Sequence, residues 1–157
     1  MKTICCLLVT IMLNQACGSQ GTNTENSKNG IQEKHEIAEI SYQATTRGFY
    51  QMLWIGNTTL TLTNDRSHNE KTVYPITEND WNELMTLLKD VDVSTLPGLE
   101  APTSKRHHDA AAFATLTVVQ DGKEIKTQNF DHGHPPKHIE ALVSKILLLA
   151  DRTHKKQ

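Results

Sequence analysis

Apolar and polar positions alternate differently in successive stretches of this chain, and each pattern predicts its own element. Ile4 to Leu13 is an apolar run broken only by Thr10, and residues 18–29 hold no apolar side chain. From Ile37 the period becomes two. Ala38, Ile40, Tyr42 and Ala44 alternate with polar neighbours, which predicts a strand. Residues 49–55 and 58–64 predict two more, with Gly56-Asn57 between them as a two-residue II′ turn. That register sets Leu53 opposite Leu60 and Trp54 opposite Thr59. Asp65 to Lys71 reads as a polar loop and Val73-Tyr74-Pro75 as a short extended piece.

The period then lengthens. Trp81, Leu84, Met85 and Leu88 recur at helical spacing behind Thr77, a suitable N-cap, with Glu78 and Asp80 in the positively polarised first turn. Val91, Val93 and Leu96 lead to Pro97-Gly98, where regular structure is expected to stop, and residues 99–108 read as a loop. Residues 110–120 and 123–130 form the clearest hairpin, with Asp121-Gly122 as a I′ turn. Pro135-Pro136 opens a last helix whose buried stripe is Ile139, Leu142, Val143, Ile146, Leu149 and Ala150. The expected fold is therefore α+β. It is a two-layer sandwich in the order β-β-β-α-β-β-α, with an antiparallel sheet of about five strands and both helices on one face. A single head over residues 31–152 and a basic tail over 153–157 complete the expected organisation.

Charge and cysteine content narrow the setting. Of 16 basic and 18 acidic residues, only Lys2 lies in residues 1–16, so the chain without them has a formal charge of −3. That balance offers no electrostatic footprint for nucleic acid. Cys5, Cys6 and Cys17 are the only cysteines, so nothing after Gly18 can form a disulfide or serve as a thiol nucleophile. The head must be held by its own core.

Lys2, the apolar run to Leu13, and Ala16 before Cys17 match the charged start, short apolar segment and small residue of an export signal. The run is about half of the ~20 residues that a spanning helix needs. A cysteine directly after the small residue resembles a bacterial lipoprotein signal. Residues 1–16 would be removed, Cys17 lipidated, and residues 17–30 would tether the head to the membrane. Asn14 stands where such signals usually carry leucine, and Leu13 is one place earlier. Cleavage after Gly18, giving a secreted protein without an anchor, is the competing expectation.

Candidate chemistry centres on histidine. Five of the eight histidines fall in two segments, His107-His108 and His132 to His138. An unbroken ladder from the Asp121-Gly122 turn would set Ala112 opposite Asp131, Ala111 opposite His132 and Asp109 opposite His134. Asp109, Asp131, His132 and His134 are then the candidate ligands for a divalent metal such as zinc. Equally, Asp131 could accept backbone N–H bonds in a tight Gly-Pro loop. The loop carrying Leu99, Glu100 and Arg106 is the other candidate, either a recognition loop or a connection packing Leu99 on the core. No Gly-x-Ser-x-Gly elbow, His-Glu-x-x-His helix or phosphate loop occurs, so no catalytic residues are assigned.

Thr46 to Phe49, Ala101 to Thr103 and Phe130 to Pro136 resemble segments of small envelope lipoproteins of Bacteroidota, over roughly residues 37–150. The resemblance implies an exported, compact head with no catalytic residues to carry over. The expected function is a lipid-anchored, non-enzymatic binding or envelope-support module at the periplasm or outer membrane, with an envelope protein as partner. An exported metal-binding protein and a secreted enzyme inhibitor acting through residues 97–108 are the alternatives.

Overall fold

The computed structural model describes residues 36–107 and 111–154; the expected signal, Cys17 and tether lie outside them. Strands β1 (Ile37–Thr45), β2 (Tyr50–Ile55), β3 (Thr59–Thr63) and β4 (Thr72–Pro75) precede helix α1 (Glu78–Lys89). Strands β5 (Phe113–Gln120), β6 (Lys123–Lys126) and β7 (Phe130–Asp131) precede helix α2 (Glu140–His154). All the strands pair antiparallel, in the order β4-β3-β2-β1-β5-β6, with β7 beside β5. The α+β sandwich expected from the sequence is therefore present, with seven strands among the described residues where about five were expected. The short extended piece is β4, and the return arm of the second hairpin is broken into β6 and β7.

One face of the sheet and both helices make the core. Ile40, Tyr42, Ala44, Leu53, Ile55, Leu60, Leu62, Ala114, Leu116 and Val118 meet Leu84 and Leu88 of α1 and the predicted stripe of α2. Thr77 caps α1 by accepting the Asp80 N–H. Between the helices, Lys145 is buried and its Nζ lies 2.9 Å from Asp80 and 2.5 Å from Glu83. Arg152 adds a contact to Asp80 at 3.2 Å, and α2 continues past the expected end of the head at residue 152. A single 3-10 turn, Lys137–Ile139, separates Pro136 from α2, so the prolines open that turn rather than the helix itself.

Two registers differ from expectation. In the first hairpin Ile55 pairs with Leu60 and Leu53 with Leu62, and Asn57-Thr58 form the centre of the turn. Gly56 does not take the positive φ that a II′ turn asks of its first residue. The shift of two places matches all four apolar residues to one another, and its even parity leaves every side chain on its expected face. In the second hairpin Asp121 and Gly122 take φ of 51° and 74°, as a I′ turn requires, and the expected ladder holds from Gln120↔Lys123 to Thr117↔Lys126. It then breaks. Leu116 receives the Thr127 N–H at 2.9 Å and donates its own N–H to Thr127 Oγ1 at 3.1 Å. Pairing resumes at Ala114↔Phe130 and Phe113↔Asp131, one residue out of step. This is a β-bulge, and an odd shift exchanges the faces.

Candidate functional site

The bulge exchanges the faces of the described candidate ligands at the end of the hairpin. Asp131 lies opposite Phe113 rather than Ala112, and the His132 N–H donates to the Ala112 carbonyl at 2.9 Å. Phe130 and His132 turn toward Tyr42, while Asp131 turns to the other side. His134 is exposed, after a tight turn in which Gly133 takes a φ of 79° and the His134 N–H reaches the Asp131 carbonyl at 2.8 Å. Asp109 lies outside the described residues. Among the described residues no group of three or more His, Cys, Asp or Glu side chains is placed to hold a metal ion.

Asp131 is fully buried and its carboxylate is fully engaged. Oδ2 accepts from the Thr103 hydroxyl at 2.5 Å and the Lys105 N–H at 2.8 Å. Oδ1 accepts from the Arg106 N–H at 2.9 Å and its guanidinium at 3.2 Å. Burial pushes this carboxyl up, but the bonds from Thr103, Arg106 and Lys105 outweigh it and hold the group well below the usual carboxylate range. Arg106 also donates to the Thr103 carbonyl at 2.6 Å. The candidate recognition loop is thus pinned by Asp131. Its Leu99 packs on the core, its Arg106 is committed to the ion pair, and Glu100 keeps an exposed side chain.

His132 is half-buried. Its Nδ1 lies 2.9 Å from the Tyr42 hydroxyl, and Phe49 stands beside the ring at 5.8 Å between centroids. Burial pushes the imidazole down, with nearby Asp151 opposing and His134 reinforcing the effect. A pH dependence follows from these two groups. Both have native values below their unfolded ones, 6.5 for His132 and 3.8 for Asp131, so the unfolded chain takes up protons first and acid destabilises the fold. The melting temperature is expected to stay level from pH 7 to about 9, short of the range in which Tyr42 ionises in the unfolded chain, and to decline below about 6.5 as His132 contributes. It falls further below about 3.8, where the stability supplied by Asp131 is lost. Thermal melts of the wild type and Asp131→Asn at successive pH values check this: the variant loses the steeper acid limb.

The second face of the sheet carries a further candidate site, outside the histidine segments and the 99–108 loop. Tyr50, Met52 and Trp54 share that face of β2, opposite Thr45, Gln43 and Ser41 of β1. Phe113, Thr115 and Thr117 of β5 continue it on the far side of β1. Residues 64–71 strap over the β2 stripe. Asp65 accepts the N–H groups of Ser67 and Asn69 at 2.9 and 2.8 Å, which folds the strap on itself and, with the Glu70 N–H, lowers the pKa of its carboxyl. Arg66 donates to Thr45 Oγ1 at 2.8 Å and to the Phe49 carbonyl at 3.1 Å, and stacks over Tyr50. His68 takes a left-handed φ of 56° and wedges between Tyr50, whose hydroxyl is 2.5 Å from Nε2, and the edge of Trp54. Lys71 lies over the Trp54 ring with Nζ 4.9 Å from its centroid. A non-glycine residue in this conformation marks a segment shaped by its surroundings. The spacing of Tyr50, Met52 and Trp54 at every second residue was the available signal, since large side chains seldom fill the outward positions of a strand without a use for them.

No protein-family model matches this chain, and no curated protein matches it.

Proposed function

We propose that the mature protein is a lipid-anchored envelope protein whose head is a non-enzymatic binding module, and that its working surface is the sheet face opposite the helices. The carrying observation is the difference between the two faces. One is closed by α1 and α2, whereas the other presents the strapped Tyr50-Met52-Trp54 stripe beside the hydroxyls of Ser41, Thr115 and Thr117. A strand face filled this way is in keeping with recognition, because rigid sheet positions hold side chains in place without ordering costs at binding. The anchor rests on Cys17 and the residues before it.

Labelled palmitate supplied to growing cells tests the anchor. The wild type is expected to carry label and to fractionate with membranes, and Cys17→Ser to lose both. An unlabelled mature chain beginning at Ser19 would overturn the lipid anchor and leave a secreted head.

A further inference from the structure

On the open face, β1 and β5 run between the β2 strap and the segment that Asp131 pins, and their outward side chains make the floor of a strip. Ser41 and Thr117 are paired across the two strands, as are Gln43 and Thr115. Ser41 and Thr115 are each only 8% exposed, yet neither hydroxyl belongs to the hydrogen-bond network of the described residues, and neither oxygen is sealed off as an unsatisfied buried atom. Both therefore open onto the strip with bonding capacity to spare. Trp54, paired with Ser41, forms one wall, and His107 stands edge-on to Phe113 at the other side.

The floor is neutral and made of groups that both donate and accept. A sugar presents the same mixture, with hydroxyls around its ring and an apolar C–H face that suits an indole. A peptide adding as a strand needs a free sheet edge, whereas β1 lies between β2 and β5, and β5 between β1 and the arm that carries β6 and β7. At one end, Glu39 and Glu124 flank Val119 and repel one another, a poor setting for a polyanion. Lys71, exposed over the Trp54 ring, makes the kind of weak surface contact that an arriving sugar ring displaces. Position agrees as well. From a lipidated Cys17 to Glu36 the chain spans at most about 65 Å, so the head stays within the layer next to the membrane where wall glycan lies.

We propose that this strip binds a glycan strand of the cell wall, a β-linked amino-sugar chain laid along β1 and β5 with one ring on Trp54. The proposal rests on the envelope reading above for its choice of glycan, and on the strip alone for its chemistry. The test is co-sedimentation of the full mature chain, purified in detergent, with isolated wall sacculi, beside titration with the soluble N-acetylglucosamine hexamer. Wild-type protein sediments with sacculi and stays in solution once lysozyme has digested them. Ser41→Ala combined with Thr115→Val, which keeps side-chain volume while removing two hydroxyls, weakens binding at least about tenfold. Trp54→Ala weakens it as well, and Leu148→Ala on the exposed side of α2 does not. Circular dichroism confirms that each variant is folded; should the hydroxyl pair fail to fold, Thr117→Val replaces it. Binding that persists unchanged in the folded floor variants, retention that survives lysozyme, or no sedimentation at all would each overturn the proposal. Palmitate labelling of the same preparation separates the failures, because labelled protein that ignores sacculi loses the glycan and keeps the anchor.

Discussion

Asp131→Ala is expected to destabilise the head by about 3–5 kcal/mol, the usual cost of breaking a buried, hydrogen-bonded ion pair from one side. The carboxylate gathers four bonds from Thr103, Lys105 and Arg106, two of them from backbone N–H groups in a segment without strand pairing of its own. Alanine leaves these donors and the Arg106 guanidinium, itself only 13% exposed, without an acceptor. Arg106 Nε is already buried without a partner, so little in the surroundings can compensate. Urea unfolding measures the loss, and limited proteolysis locates it, with new cleavage expected between Pro97 and His107. A loss below about 1 kcal/mol would be no more than one ordinary hydrogen bond and would show that the 99–107 segment is held by other contacts.

Phe130→Ala is expected to cost a comparable amount, about 3–5 kcal/mol, through the cavity left in a core that cannot close over it. Phe130 is fully buried and packs against Tyr42 with ring centroids 6.2 Å apart. Phe113, its partner in an unbroken ladder, is half-buried on the other face, so Phe113→Ala is expected to cost distinctly less. The comparison reads the bulge directly. Without the extra residue, Phe130 would join Phe113 on the open face and Asp131 would enter the apolar core, and equal losses in the two variants would contradict the observed register.

The helices, their stripes and the antiparallel order were legible in the sequence because each depends on local periodicity or on a turn chemistry with few options. Thr77 caps α1, and Asp121-Gly122 turns the second hairpin, for reasons contained within a few residues. The first hairpin turn was misplaced because Gly56-Asn57 satisfies a local rule, whereas the register is decided by matching Leu53 and Ile55 to Leu62 and Leu60 across the strands. The bulge was not legible at all. Thr127 answers Leu116 with its own hydroxyl, and nothing in the order of residues announces that bond. One such residue turned His132 toward Tyr42 and sent Asp131 to hold the neighbouring segment. The open-face candidate site was not legible for a related reason: Ser41, Thr115 and Trp54 are brought together by strand order, which the alternation within each strand does not encode.

If the face opposite the helices is the working surface, the chain's two tryptophans, Trp54 and Trp81, report it directly. Trp54 lies on that face, whereas Trp81 belongs to α1. Acrylamide quenching of Trp81→Phe, which leaves Trp54 as sole reporter, is followed with and without isolated envelope walls. Walls are expected to shield Trp54, whereas in the converse variant Trp54→Phe, which keeps an aromatic face and is first shown to co-sediment with walls, Trp81 is quenched equally in both conditions. Shielding of Trp81 while Trp54 remains open to quencher would place the working surface on the helices and contradict the account.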